Sequence, residues 1–455
     1  MKNTRKKHAK YAALALTLSL GFVLSGCGKE QENTSGTQGN GTTVVTPDKP
    51  TYGAGVTNLS ADVTRIDVPA ADMEAAHGNA LSRSGVLILQ KVMEQEKNGN
   101  ANYLISPISM QMALGMTATG ATAGSDTEKG MMSVLLPGTA ENAAALNKEM
   151  ATFANRMLKA EDVSWNVANS IWVKNSGELK LRDTFISDAT NYYTAELYAA
   201  PFDSSTLDAI NGWVKENTRD RIPTILERLP KDAMMALVNA LAFDGEWEEE
   251  YDAEDIREKI TFTNADGTQS EVTMLRSKEQ RAIHLAGGLG FIRNYKGGQY
   301  SFVGILPPEG VTTEKYLSDI LSGKESFAEQ FLNAESKKVY VSIPEFKTEY
   351  GKTMDDVLKS LGMEKAYTDF AEFGAMVTED SQPLKIGTVI HKTMIEVDRK
   401  GTKAAASTAV IMTKATAVME PEETYTVNLN RPFVYAIVDN ATGVPVFLGA
   451  QNSME

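Results

Sequence analysis

The sequence predicts a mixed α+β fold in which helices and strands share one large core. Of the 455 residues, 42% are hydrophobic, which is enough for a sizeable core and excludes wholesale disorder. From about Leu59 to Glu455 there is no second linker, low-complexity tract or internal repeat. Apolar residues recur at helical spacing in the first third of this stretch and form strand-like runs afterwards. Single cores usually stop growing at about 250–300 residues, so a folded unit of this length is unusual.

The elements follow from these patterns in chain order. Apolar spacing predicts helices at 82–95, 109–119 and 139–158, and a shorter one at 353–361. Strand-like runs lie at 166–173, 234–243, 260–263, 302–306, 339–343, 388–397, 426–428, 433–439 and 446–450. The glycine-rich stretch 287–290 is interpreted as a turn between elements.

Residues 1–26 predict a signal peptide. A basic start is followed by an apolar run at 11–24, which is shorter than a spanning helix needs. The run ends in Leu24-Ser25-Gly26-Cys27, which resembles a bacterial lipoprotein lipobox. In that family the cysteine is lipidated and becomes the new N-terminus. We therefore expect an extracytoplasmic protein anchored through Cys27 to a bacterial cell envelope, or one released outside the cell. An ordinary secretory signal with an incidental cysteine is the alternative.

Residues 27–58 predict a flexible tether because they contain almost no large apolar side chain. Removal of the signal peptide 1–26 would also remove its five basic residues. The 45 basic residues would become 40, and with 59 acidic residues the net charge would be −19. An acidic chain of this kind does not bind nucleic acid through a basic surface. It also has no electrostatic attraction to an anionic membrane, so we expect membrane contact through the lipid anchor only.

The sequence offers no catalytic constellation. His77, His284 and His391 are far apart and have no metal-ligand spacing. There is no G-x-S-x-G elbow, phosphate loop or dinucleotide motif, and one cysteine excludes a disulfide framework. The acidic run 246–252 is a solvated face, with a cation site as the less favoured interpretation. We expect no enzyme, no metal and no cofactor, which argues against a lipid-anchored hydrolase.

The segment 401–419 is small at its start and β-prone afterwards, with Lys403 and Lys414 as its charged residues. If this segment were always exposed, it would be prone to aggregate. If it were always buried, it would be too long for a single strand. A loop in one state that becomes a sheet strand in another resolves the conflict. In that strand the side chains on the face that begins with Thr402 are small at first and then apolar, whereas the face that carries Lys403 can remain exposed to solvent. An alanine-rich helix is the equally weighted alternative.

The same region resembles the serpin family. The stretch 391–408 is similar to the family's breach strand and hinge, and 430–434 and 446–449 are similar to its signature and final strands. Further matches lie in order upstream, at 105–109, 113–114, 120–121, 169–172, 210–214, Ile222, 238–240, Phe243, Gly245, Trp247, 306–310 and 361–363. The resemblance implies a serpin domain at 59–455 with three β-sheets, eight to nine helices and an exposed reactive-centre loop. It spans essentially the whole folded part.

Inhibitory serpins trap proteases as suicide substrates, so the resemblance implies the same here. A serine protease would form an acyl-enzyme at the loop, and the cleaved loop would then insert into the large sheet and distort the enzyme. The implied hinge consists of Gly401, Thr402, Lys403, Ala404, Ala405, Ala406, Ser407 and Thr408. Its small side chains favour inhibition over the alternative of a non-inhibitory binding or structural serpin. Cysteine proteases are a further target class, and we expect a monomer.

Counted from the hinge glycine, the family's usual spacing implies a cut bond at Ala415–Thr416 or, one residue earlier, at Lys414–Ala415, with a cut at Met419 as a lesser alternative. A lysine before the cut suits trypsin-like proteases, whereas an alanine suits elastase-like or subtilisin-like ones. The distance from Gly401 to Pro432 is longer than the family's usual one.

Other matched positions imply structural roles. Ser106, Ser109, Asn211 and His391 match the hydrogen-bonded shutter beneath the large sheet, and Trp247 matches the breach where insertion begins. The family usually carries acidic residues beside the hinge, whereas this chain has Arg399, Lys400 and Lys403. The departure puts the speed of the first insertion step in question.

Overall fold

Helices and strands alternate through the part of the chain that the structure describes. It is a computed structural model that describes residues 52–66, 68–69, 72–177, 179–230, 232–402 and 423–454. Within these ranges there are nine α-helices and sixteen strands, so the predicted mixed α+β class is confirmed. None of the helices described is long and apolar enough to cross a membrane.

The helices are α1 (Ala75–Glu96), α2 (Pro107–Thr119), α3 (Asp126–Leu135), α4 (Asn147–Leu158), α5 (Asp183–Tyr193), α6 (Ser204–Asn217), α7 (Thr313–Ser322), α8 (Phe327–Leu332) and α9 (Asp355–Leu358). The strands are β1 (Thr57–Asn58), β2 (Tyr103–Ile105), β3 (Val163–Lys174), β4 (Glu196–Ala200), β5 (Met235–Glu246), β6 (Ile256–Thr263), β7 (Gln269–Leu285), β8 (Gly288–Asn294), β9 (Tyr300–Leu306), β10 (Glu335–Pro344), β11 (Phe346–Thr353), β12 (Thr388–Val397), β13 (Gly401–Thr402), β14 (Tyr425–Asn428), β15 (Phe433–Asp439) and β16 (Pro445–Gln451).

Seven strands form the large sheet, in the order β1-β4-β3-β5-β13-β12-β11. Its centre holds β5 and β12, which pair in parallel from Ala236 with Thr388 to Ala242 with Met394. Beyond these pairs the two-residue strand β13 lies between them. Strands β5 and β12 of the large sheet are therefore hydrogen-bonded to each other at one end and separated by β13 at the other.

The second sheet has nine strands, including β6, which pairs with β7 at its side. The resemblance implies three sheets, but the described strands form two, because hydrogen bonding through β7 joins two of the expected sheets into one. Residues 274–282 of this strand pair with β10, whereas 282–285 pair with β8. One strand of 17 residues thus runs through both parts.

Two apolar clusters cover opposite faces of the large sheet. Alternate residues of β5 point to opposite faces, so Leu237 and Leu241 join the larger cluster and Val238 joins the smaller one. Helix α2 lies in the larger cluster and is buried at nearly every position. Helix α6 supplies Ile210 and Trp213 to the smaller cluster.

The folded part begins earlier than the predicted start at Leu59. Strand β1 pairs with β4 through Thr57–Ala199 and Asn58–Tyr198. The Tyr52 ring packs edge-on against Tyr198 at 5.9 Å, and its hydroxyl donates to Glu216 at 2.7 Å. Residues 52–58, assigned to the tether by composition, therefore pack on the large sheet because backbone pairing and one tyrosine replace the missing apolar side chains.

Helix ends also differ from the predictions. The predicted helix 139–158 starts as a 3₁₀ turn at Ala143–Leu146 before α4, because the Asn142 side chain accepts a hydrogen bond from the Ala145 amide and caps it. The predicted helix 353–361 is the short α9 followed by a π-turn. The turn predicted at 287–290 is confined to Ala286 and Gly287, and the later glycines lie in β8.

Candidate functional site

The candidate site is the end of the large sheet where β13 lies between β5 and β12. Gly401 pairs with Glu246, and Thr402 pairs with Gly245 on one side and Val397 on the other. We call the gap between Gly245 and Val397 the hinge slot. The first two residues of the predicted hinge occupy it in this structure, which sequence reasoning did not anticipate.

A tight turn brings the chain back into the sheet at Gly401. The Asp398 carboxylate accepts hydrogen bonds from the amides of Lys400 at 2.8 Å and Gly401 at 3.1 Å. A Cβ on Gly401 would lie 2.1 Å from the Gly245 carbonyl oxygen, which no side chain can tolerate. The hinge slot thus requires glycine at 401 because two backbones approach closely there.

Thr402 fills the hinge slot with a small side chain that is only 1% exposed. Its hydroxyl and the Tyr295 hydroxyl share a hydrogen bond of 2.6 Å. Burial raises the pKa of Tyr295, so this hydroxyl keeps its proton. Gly245, which lacks a side chain, leaves room for the Tyr295 ring.

Trp247 lies directly beside the hinge slot, at the breach position that its motif implies. Its indole nitrogen donates to the Asp398 carbonyl at 2.9 Å, and its backbone amide donates to the Lys400 carbonyl at 2.9 Å. The Trp247 ring stacks on Tyr295 at 4.7 Å, and Arg293 lies 5.0 Å from its centroid. The aromatic cluster therefore fixes the turn that precedes the hinge.

The unusual basic residue before the hinge has an acidic partner. Arg399 forms an ion pair with Glu345, with Nε and Oε1 3.2 Å apart. The pair is half-exposed, so its contribution to stability is small, below about 1 kcal/mol. It shows that a charge which departs from the family's pattern is matched by an opposite charge on a neighbouring segment.

A buried polar cluster lies beneath the sheet, further along β5 and β12. Ser106 caps the start of α2, where Pro107 occupies the first helical position, and the Ser106 amide donates to His391 Nε2 at 3.0 Å. The Ser109 hydroxyl donates to the Asn239 amide oxygen, and the Asn239 amide nitrogen donates to the Ser109 carbonyl at 2.8 Å. These bonds tie α2 to both central strands, so the two strands cannot separate without rearranging them.

Asn211, expected in this cluster, lies on the opposite face of the sheet. It belongs to α6, where its side chain accepts from the amides of Ile225 and Leu226 and donates to the Leu226 carbonyl at 2.8 Å. The amide in the cluster is instead Asn239, which also donates to Asn169. A polar residue in the middle of the apolar run 234–243 is the signal that sequence reasoning missed.

His391 is fully buried and neutral. Burial lowers its pKa from 6.5 to about 3. Because Nε2 accepts the Ser106 amide, the proton lies on Nδ1, which has no hydrogen-bond partner among the described residues.

We expect this histidine to make folding stability depend on pH. The unfolded chain gains a proton as the pH falls below about 6.5, whereas the folded chain stays neutral until about 3. Stability is therefore fully present above about pH 6.5 and is lost at about 1.4 kcal/mol per pH unit below it. His391→Gln, which keeps an acceptor for Ser106, should lose about 2 kcal/mol less than wild type between about pH 7 and pH 5. Urea unfolding measures this, and equal losses in both proteins would contradict it.

Several predicted site residues lie outside the described residues. These are Cys27, the hinge residues 403–408, and the cut-bond candidates Lys414, Ala415 and Thr416. Across the described ranges, no group of three or more His, Cys, Asp or Glu side chains could hold a metal ion.

Comparisons with known proteins agree with this geometry. The family model described as "Serpin (serine protease inhibitor)" matches residues 80–454. The chain is 28% identical over 382 residues to Serpin-Z1A of Triticum aestivum, covering 81% of this chain and 94% of that protein.

Solved structures show the same fold. The native state of the thermophilic serpin tengpin superposes with a TM-score of 0.77 at 34% identity, covering 88% of this chain and 100% of tengpin. Human thyroxine-binding globulin with its bound hormone superposes with a TM-score of 0.68 at 19% identity, over 84% of this chain and 99% of that one, which shows likeness of fold alone.

Proposed function

Because the chain belongs to the serpin family, we propose that it inhibits serine proteases, with cysteine proteases as a further class, by inserting its cleaved loop into the large sheet. The observation that carries the proposal is the position of Gly401 and Thr402 between β5 and β12. A strand that continues from β13 would enter the sheet there, and its first two residues are already paired. These two residues are paired before any cleavage, and Lys403 is the next residue that would have to enter the sheet.

The register of β13 gives the path of the rest of the loop. In an antiparallel ladder that continues from Thr402, Lys403 would lie opposite Asp244 and Glu396, and Thr408 opposite Asn239 and His391. The ladder between β5 and β12 ends at Ala236 and Thr388, where Ile411 would lie. From Ala405 to Ile411, each inserted residue would replace one parallel pair with two antiparallel ones, which favours insertion.

The side chains next to the hinge slot are opposite in charge to Lys403, the residue that would enter next. Asp244 and Glu396, which would flank Lys403, are both acidic, and Asp244 already forms an ion pair with Arg221. A lysine between two carboxylates is favoured at short range. An acidic neighbour, as Arg399 has in Glu345, would thus be present one step further into the sheet.

The same register supports a cut near Lys414 or Ala415. Those residues would leave the sheet three or four positions beyond Ile411, at the end opposite the hinge slot. A protease bound there would be carried the whole length of the sheet. A cut at Met419 would place at least four more residues between the end of the sheet and the protease than a cut at Ala415. These residues span roughly 13 Å at 3.3 Å each, and the slack would relieve the strain on the enzyme.

We also propose that the protein works outside the cytoplasm, tethered through Cys27. The support is the lipobox-like sequence that ends at this residue and the polar, tether-like stretch that follows. Cys27→Ala should shift the protein from the membrane fraction to the soluble fraction. A variant that stays with the membrane would contradict the anchor.

The test of inhibition is incubation of residues 29–455 with trypsin, pancreatic elastase and subtilisin separately. We expect an SDS-stable complex with at least one of them and a released C-terminal peptide. Its mass distinguishes a cut after Lys414 from one after Ala415. Protease inactivated at its catalytic serine is the control and should give no complex. Cleavage in the loop by all three proteases without any complex or gain in stability would instead support a non-inhibitory serpin.

A further inference from the structure

Tyr295 reaches the hinge strand through its hydroxyl, which is hydrogen-bonded to the Thr402 hydroxyl. It follows β8 directly and forms an isolated backbone bridge with Trp247. Its hydroxyl lies 2.6 Å from the Thr402 hydroxyl. This hydrogen bond thus connects the side chain in the hinge slot to the end of β8 in the second sheet.

Packing leaves the Tyr295 ring little freedom to point elsewhere. It is fully buried, stacks on Trp247 at an interplanar angle of 9°, and meets the Phe243 ring edge-on at 4.9 Å. If Thr402 left the sheet, the Tyr295 hydroxyl would remain buried without this partner. Leaving a buried hydroxyl unpaired is unfavourable, so Tyr295 favours the state in which Thr402 stays inserted.

We propose that Tyr295 is a positioning residue that holds Thr402 in the hinge slot before a protease arrives. The inference rests on the proposed inhibitory function, in which insertion competes with hydrolysis of the acyl-enzyme. With the hinge held in place, the cleaved loop starts from a paired residue rather than from solvent. Tyr295 therefore sets the fraction of encounters that end in a trapped protease, and it does not touch the bond that is cut.

The test compares Tyr295→Phe with wild type and with Tyr316→Phe. The Phe variant keeps the ring that stacks on Trp247 and removes only the hydroxyl. Tyr316 is a matched control, because it is also fully buried and its hydroxyl donates to the Leu285 carbonyl at 2.6 Å, away from the hinge. A general loss of stability from a deleted buried hydroxyl would appear in both variants.

The first measurement needs no protease. Deuterium exchange at the backbone amides of Gly401 and Thr402 should be roughly fivefold faster in Tyr295→Phe and unchanged in Tyr316→Phe. Unchanged exchange in Tyr295→Phe would overturn the inference even if wild type inhibits. Faster exchange together with no inhibition by wild type would leave the hydrogen bond established and overturn the inhibitory role that we give it.

The second measurement is the number of inhibitor molecules consumed per protease trapped. We expect it to rise about two- to fivefold in Tyr295→Phe, with an unchanged rate of loop cleavage. Thr402→Val should have a similar effect, and the double variant should be no worse than either single one, because both remove the same bond. Thr402→Ser, which keeps a hydroxyl, should behave as wild type. Additive effects in the double variant would contradict a direct role of the hydrogen bond.

Discussion

Thr402→Arg is expected to turn the protein from an inhibitor into a substrate. The wild-type side chain is buried between Gly245 and Val397 and faces the Tyr295 ring. An arginine there would have to bury a charge without a partner, which costs several kcal/mol. The loop would still be cut, but the acyl-enzyme would hydrolyse before insertion. The number of inhibitor molecules consumed per protease trapped should rise more than about tenfold, as measured by titration of residual protease activity.

The control for this substitution is Lys403→Arg, which adds the same guanidinium one position later. Odd-numbered residues of the inserted strand would point to the face with α6, towards Asp244 and Glu396, where a cation is tolerated. The Lys403 variant should therefore remain an inhibitor. If Thr402→Arg forms complexes as efficiently as wild type, or if both variants fail equally, the hinge slot is not where insertion begins.

Parts of the site follow from local sequence, and others depend on contacts that no local pattern contains. Ser106 could be identified from its match to a family motif, and the hinge from the small residues that begin a β-prone run. Tyr295 and Glu345 could not, because each reaches the hinge from a distant segment through one contact. Their role appears only once the two sheets are packed together.

Asn211 and Asn239 illustrate the same limit. Both lie in motifs that resemble the family, and composition cannot tell which face of the sheet each one occupies. Strand alternation decides it, since Asn239 shares a face with Leu237 and Leu241. Helix α6 covers the other face, and Asn211 there closes the loop that follows the helix. A polar residue within an apolar strand was the stronger indication, because it must find a partner in the core.

The charges around the hinge give a further constraint that only the structure supplies. Arg399 and Lys403 looked like obstacles to insertion when compared with the family's acidic residues. The structure places Glu345 beside Arg399. The ladder that starts at Thr402 would place Asp244 and Glu396 beside Lys403. The Arg399 charge therefore has an acidic partner, and the path proposed for Lys403 also passes acidic side chains.

Cleavage of the loop is expected to raise thermal stability strongly, even by a protease that is not trapped. Continuing the β13 register from Lys403 to Ile411 would add a strand paired on both sides and break the seven parallel pairs from Ala236–Thr388 to Ala242–Met394. The gain is about ten hydrogen bonds at about 1 kcal/mol each, or on the order of 10 kcal/mol. At about 2.1 cal/mol/K of unfolding entropy per residue, a folded unit of roughly 400 residues should show a rise of the unfolding midpoint of about 12 °C.

The measurement is calorimetry of the intact and loop-cleaved protein, with the cut bond identified by mass. Thr402→Arg provides the comparison, because its cleaved loop should stay outside the sheet and its midpoint should rise far less. The extra strand must pass the buried polar cluster, where Ser109 and Asn239 join α2 to β5 and Ser106 and His391 join it to β12. Ser109→Ala should therefore weaken the barrier and allow stabilisation to develop faster after the cut, without raising the final midpoint. A cleaved wild-type protein with an unchanged unfolding midpoint would show that β5 and β12 do not separate. Gly401 and Thr402 would then only end the turn after β12 and would not start an inserted strand.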